Sequence, residues 1–179
     1  MQHTSDEDLL SQAVLRRHGA IERFVECARR VPDAEWLTPR AAGKWPPAQE
    51  AMHLVLTYRA YTAEARNGPS VTPETFVARN PKLRTEVLPR ILAGDWFPSG
   101  AVSPAVAQPD DAPREKEDVL HDLIKYGREF ASAVVEAAAK DPARFVRHPY
   151  FGALSLHELV IVLAEHAHHH RKHLPERNY

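Results

Sequence analysis

Glu165-His166-Ala167-His168-His169-His170-Arg171-Lys172-His173 closes a stretch whose apolar residues recur at helical spacing, and which opens at Ser155 with Glu158 three positions on, the pattern of a capping box. Stepping about 100° per residue from His166 puts Leu159, Val162, Leu163, His169, His170 and His173 within about 60° of it. His168 falls roughly opposite, beside Ile161 and Glu165. One face of this helix therefore carries large apolar side chains first and histidines toward its end. His166 and His170 stand one turn apart, about 6 Å of rise, on the same side. A single inward histidine is ordinarily a neutral, hydrogen-bonded core residue. Two at this spacing, with His173 a turn further, would cost roughly a few kcal/mol to bury unless satisfied. A metal ion satisfies them, as it does in HExxH helices. An open catalytic site needs a third protein ligand, and His53, in the middle of another helical stretch, is the candidate.

Working outward, the sequence reads as four long helices. Ser5 can cap the first, with acidic residues in its first turn. Leu10, Ala13, Val14, Ile21, Phe24, Val25 and Ala28 mark one face of it, and Pro32 ends it. Pro46 and Pro47 open the second, with Pro47 at the first helical position. It runs to about Arg66, with Gly68 as a stop. The third begins near Pro113, is lined by Leu120, Leu123, Ile124, Tyr126, Phe130, Ala131, Val134, Val135 and Ala138, and ends at Asp141-Pro142. The fourth runs from Ser155 to before Pro175. Between the second and third lies a long irregular stretch holding eight of the 15 prolines, Pro69 to Pro113. Asn80-Pro81 can start a short helix there, which Pro89 limits. A connection this long often covers a site, and it lets helices two and three run parallel. Trp96-Phe97-Pro98 is expected to anchor it to the bundle.

Three segments resemble the DinB / YfiT-like superfamily of metal-dependent enzymes. Lys44-Trp45-Pro46-Pro47-Ala48-Gln49-Glu50-Ala51-Met52-His53-Leu54 resembles its Trp-x-Pro…His-Leu opening of the second helix. His148-Pro149-Tyr150-Phe151-Gly152-Ala153-Leu154-Ser155 resembles its His-Pro-x-Phe-Gly-x-Leu approach to the last helix. His166-x-x-His169-His170-x-x-His173 resembles its His-x-x-His-His-x-x-Gln signature. The departure is His173, where the family usually has Gln. The resemblance implies an all-α fold, a four-helix bundle running up-down-down-up with a long crossover between helices 2 and 3. It implies His53, His166 and His170 as ligands of one divalent ion, with Zn, Ni and Fe all suited to imidazole. It also implies a homodimer, and activation of a low-molecular-weight thiol, as in thiol S-transferases, more than hydrolysis.

Other residues are candidates for the site's surroundings. Glu50 is placed to stand near the ion or on a solvated helix face; Tyr61 to donate into a pocket or to pack; His148 to sit at the pocket rim or in a loop. His169 and His173 can relay a proton or serve as hydrogen-bonded spectators. A rival pattern is the Glu-x-x-His pair of di-iron bundles, Glu50/His53 and Glu165/His168, with Glu22, Glu26, Glu129 and Glu136 as possible partners. Helical geometry argues against it, since Glu165 and His168 would have to turn away from the Leu159–Val162–Leu163 side. A non-catalytic protein with a structural metal is a further alternative.

Composition bounds the rest. The 179 residues suit a single domain, 1–179, with 44% hydrophobic and 26% charged residues typical of a soluble globule. A net charge of −1 gives no reason to expect nucleic acid or an anionic membrane as partner. Apolar runs are too short to span a bilayer, the N-terminus is unlike a signal peptide, and the lone Cys27, read as packing, suits a reducing cytoplasm. Ile161 on the outward side and Trp36 in a loop would leave apolar surface for a second copy to cover. No Ser/His/Asp, Cys/His or phosphate-loop pattern supports another chemistry. The expected partner is a small-molecule substrate.

Overall fold

A computed structural model describes residues 6–94 and 96–175, with side chains from residue 8 onward. The proposed Ser5 cap lies outside them. Four long helices dominate: α1 (Asp6–Arg29), α3 (Pro47–Asn67), α5 (Lys116–Lys140) and α6 (Leu156–Arg171), with short α2 (Asp33–Trp36) and α4 (Leu88–Ala93) between them. No helix among the described residues is long and apolar enough to cross a membrane. α1 lies along α6 and α3 along α5, with α1 also touching α5. α3 and α6 hardly meet, and the space left between them is where the histidines gather.

The helices form where local chemistry directs. Pro47 occupies the first position of α3, where a missing N–H costs nothing. Gly68 ends α3, and for a reason other than left-handed geometry: its φ is −62°, but a Cβ there would sit 2.4 Å from the Glu64 carbonyl oxygen. At α6 the Ser155 side chain accepts from the Glu158 N–H and the Glu158 carboxylate accepts from the Ser155 N–H, completing the capping box. On α5, Val119, Leu120, Leu123, Phe130 and Val134 are buried, whereas Val135 faces solvent. Cys27 is half-buried against the core.

Four expectations need correction. First, the chain is mostly helical as expected but also holds a short hairpin that the all-α reading does not include: β1 (Phe145–His148) and β2 (Gly152–Ser155) pair antiparallel, Phe145 opposite Ser155 and His148 opposite Gly152. Gly152 combines a φ of +76° with a site where a Cβ would meet the backbone of Phe76–Ala78. That approach lets the Ala153 N–H donate to the Phe76 carbonyl at 2.8 Å, clamping residues 71–79 on the hairpin. Second, Pro89 does not stop the short helix. A π-helical turn at Leu83–Val87 precedes it, and the proline falls in the first turn of α4, which continues to Ala93 and is capped by Gly94.

Third, Ile161 is 8% exposed, because α6 is covered by α1, α4 and the hairpin rather than on one face alone. Fourth, Trp36 is 3% exposed in α2, its Nε1–H donating to the Arg114 carbonyl at 3.0 Å. Neither residue leaves an apolar surface for a partner.

Candidate metal centre

α3 carries two buried faces. Ala51, Leu54, Val55 and Tyr58 enter the apolar core. Glu50, His53, Thr57, Tyr61 and Glu64, spaced three, four, four and three residues apart, make a polar stripe along a cavity of about 1260 Å³. Across it α6 presents Val162 and Leu163, then His166, His169 and His170, with His173 just beyond the helix. Phe97 lines it from the 68–115 stretch and His148 from β1.

His53, His166 and His170 come together with their ring nitrogens within 4.8 Å of one another. His166 Nε2 lies 3.1 Å from His53 Nε2 and 2.9 Å from His170 Nε2. The outer nitrogens of two rings are already engaged. His53 Nδ1–H donates to the Ala107 carbonyl at 2.6 Å, with Ser103 Oγ at 3.3 Å. His170 Nδ1–H donates to Glu50 Oε2 at 2.5 Å. Each bond puts the proton on Nδ1 and leaves the Nε2 lone pair aimed at the common point, the arrangement that orients metal-bound imidazole. Burial lowers the pKa of all three rings, and for His166 and His170 the crowding imidazoles lower it further. They are neutral donors at neutral pH.

Metal–nitrogen bonds of about 2.0–2.1 Å at angles of about 90–109° separate two ligand atoms by about 2.8–3.4 Å. The observed 2.9 and 3.1 Å match that edge. The donor set therefore fits a divalent ion. A second cluster, Glu50, His170 and His173, is of a different kind. A gap of 2.5 Å between Glu50 and His170 is too short to be the edge of an ion's shell and is a hydrogen bond to a carboxylate.

The expected neighbours fall into place unequally. Glu50 is 4% exposed, not solvated; its second oxygen accepts from His173 Nδ1–H at 3.1 Å. The His173 that stands in place of Gln thus bonds the same carboxylate as His170. His169 packs edge-on against His173 and beside Phe97, and burial followed by the His173 imidazole lowers its pKa to about 4. His148 is not a rim residue but a buried wall. Its Nδ1 accepts from the Tyr150 and Phe151 N–H groups at 3.2 Å, its ring stacks between Tyr61 and Phe151, and burial lowers its pKa to about 3. Burial also raises the Tyr61 phenol, which stays protonated.

Several lining residues escaped the sequence reading: Trp45, whose ring lies 5.0 Å from that of His53 and 6.3 Å from that of His170; Thr57; and Ser103 and Ala107, which hold His53. The stripe of α3 was a usable signal for Thr57, since Glu50, His53 and Tyr61 share its spacing. Of Trp96-Phe97-Pro98, Phe97 reaches the site, while Trp96 is 40% exposed beneath Arg90.

The di-iron pattern is overturned. Glu165 pairs with Arg16 of α1 at 2.7 Å, and His168 lies 3.3 Å from Arg23. Glu22, Glu26 and Glu136 are exposed and paired with His18, Arg30 and Arg66, and Glu129 does not line the cavity.

Comparisons with known proteins show the fold and the family. YfiT from Bacillus subtilis, described as a probable metal-dependent hydrolase with an unusual four-helix bundle topology, superposes with a TM-score of 0.59 at 15% identity, covering 97% of this chain and 87% of that one. No curated protein matches the sequence. The sequence model of the DinB superfamily matches residues 18–174, a span holding the three converging histidines and Glu50, and the chain belongs to that superfamily.

Proposed function

We propose that His53, His166 and His170 hold one divalent ion, Zn, Ni or Fe, and that the chain is a metal-dependent enzyme acting on a small molecule in the α3–α6 cavity. The observation that carries this reading is the convergence of the Nε2 atoms of three neutral rings, two of which, His53 and His170, have their Nδ1 protons tied to Ala107 and Glu50. Three neutral ligands leave the ion's charge in place, so when bound it supplies Lewis-acid chemistry, lowering the pKa of a coordinated water or thiol. Hydrolysis and thiol transfer are both open to such an ion; the description of YfiT favours the first, and the second is what the sequence resemblance implies.

The chain's own residues prepare the site. Trp45 and Phe97 cover the imidazoles and restrict water. Glu50 fixes two rings at once and can take a proton through His173. His148 Nε2–H and the Tyr61 hydroxyl offer neutral donors to a substrate's polar atoms. Among the described residues no fourth ligand joins the triad, and the cavity reaches it, which favours an enzyme over a structural metal. We take the chain path to be up-down-down-up, with residues 68–115 as the crossover roofing the cavity.

The test is spectroscopic. In the cobalt-substituted protein a small thiol should perturb the visible bands, and the change should vanish in His53→Ala. An unchanged spectrum with every thiol tried, together with no metal-dependent hydrolysis of activated esters or amides, would leave a structural metal.

A further inference from the structure

Resting on that reading of the cavity, we infer that its substrate is an uncharged molecule with a carbonyl oxygen, apart from the reacting group, that accepts from His148 Nε2–H and the Tyr61 hydroxyl. His148 has one nitrogen committed. Its Nδ1 accepts from the Tyr150 and Phe151 N–H groups, both at 3.2 Å, so the proton of the neutral ring stands on Nε2. The residue is 8% exposed, yet that N–H has no acceptor among the described residues. The Tyr61 hydroxyl has none either. Neither atom is sealed in the packing. Among the described residues the enclosed unpaired side-chain atoms are Arg17 Nε, Thr57 Oγ1, Arg144 Nε and Arg171 Nε. Both rings line the large cavity, and they stack with centroids 5.9 Å apart and planes 13° from parallel, so the two donors share one stretch of its wall.

A molecule filling this part of the cavity displaces the solvent that would otherwise serve the two donors. It must offer an acceptor in return or bind at a penalty. Tyr61 stands two turns on from His53 along α3, about 12 Å of rise, so an acceptor held here belongs to a different part of the substrate from the group at the triad. The neighbouring charges cancel. Glu64, one turn beyond Tyr61, accepts from the backbone N–H, Nε and a terminal nitrogen of Arg147, the residue before His148, at 3.1, 2.9 and 2.8 Å. Phe151 stacks on His148 with ring centroids 4.6 Å apart. Two neutral donors beside a closed ion pair and an aromatic ring favour an uncharged acceptor over an anion.

The test uses two neutral probes of one shape on the protein as purified: 2-acetylnaphthalene, and 2-isopropenylnaphthalene, in which a methylene replaces the carbonyl oxygen. Tyr61→Phe removes a hydroxyl that bonds to nothing in the described chain, and its circular dichroism and melting should match the parent. His148→Asn keeps an amide oxygen for the Tyr150 and Phe151 N–H groups while withdrawing the Nε2 donor. By equilibrium dialysis the ratio of ketone to alkene affinity should fall about fivefold in Tyr61→Phe, and about fivefold again in Tyr61→Phe/His148→Asn, one hydrogen bond each. An unchanged ratio in Tyr61→Phe would overturn the inference. So would a larger fall for 2-naphthoate against the alkene than for the ketone, since the donors would then serve an anion. The ion takes no part in these ratios, so a silent cobalt spectrum strikes the metal-dependent reading and leaves this measurement intact.

Discussion

The two halves of α6 share one helix but are buried on different terms. Leu156–Ala164 is apolar almost throughout, and Leu159, Val160 and Ala164 are wholly inaccessible. Its burial asks only that something apolar be close, and α1, α4 and the hairpin all serve. Glu165–Arg171 turns imidazoles into the same interior, and each needs a named atom as partner: Glu50 Oε2 for His170, and His53 Nε2 for His166. Apolar burial is proportional to area and tolerant of detail. Polar burial is specified bond by bond. The first half accordingly builds the bundle, and the second builds a site that the bundle supports.

The largest effect that could break this contrast is on metal content. His166→Ala should lose most of the ion, measured by elemental analysis after purification, whereas His168→Ala, whose ring lies toward Arg23, should keep it. Equal losses would erase the distinction between inward and outward histidines. Next, Leu159→Ala should cost about 2–5 kcal/mol in denaturant unfolding, the range for emptying a closed core site. Metal-free His166→Ala should lose less than half as much as Leu159→Ala; an equal loss would make the histidine half a structural element too. Glu50→Gln keeps an acceptor for His170 but removes the charge. A chelator competition should show about tenfold weaker metal binding, at the lower end of the range for such supporting groups. Smallest, Ser155→Ala should cost about 1 kcal/mol through the lost cap, with metal content unchanged.

Legibility in the sequence divided along the same line. The inward set on α6 could be read from angular position alone, because a helix fixes which residues share a face. The Glu50 bonds could not, since they join residues 120 and 123 positions apart and depend on how α3 docks. The hairpin escaped notice because Phe145–His148 and Gly152–Ser155 are four residues each, too short for alternation to stand out, and are held as much by residues 71–79 as by each other. Ile161 was misplaced for a simpler reason. A single helical face assumes one buried side, and α4, which covers the other, carries a proline in its first turn, in a stretch whose prolines pointed to irregular chain.

The bond from His53 Nδ1–H to the Ala107 carbonyl ties a helix side chain to the 3₁₀ turn at Ala105–Ala107. That turn sits in the long stretch between α3 and α5, so the free energy of settling this segment is linked to whatever fixes the imidazole. A ligand gripping the ring from inside also holds the turn from outside, and a loosened turn frees the ring to rotate. Site occupancy should then be legible at a distance: amide exchange at Gln108, whose N–H bonds to the Ala105 carbonyl, is expected to slow as the ring is immobilised. The segment that encloses the cavity is in this sense also its gauge.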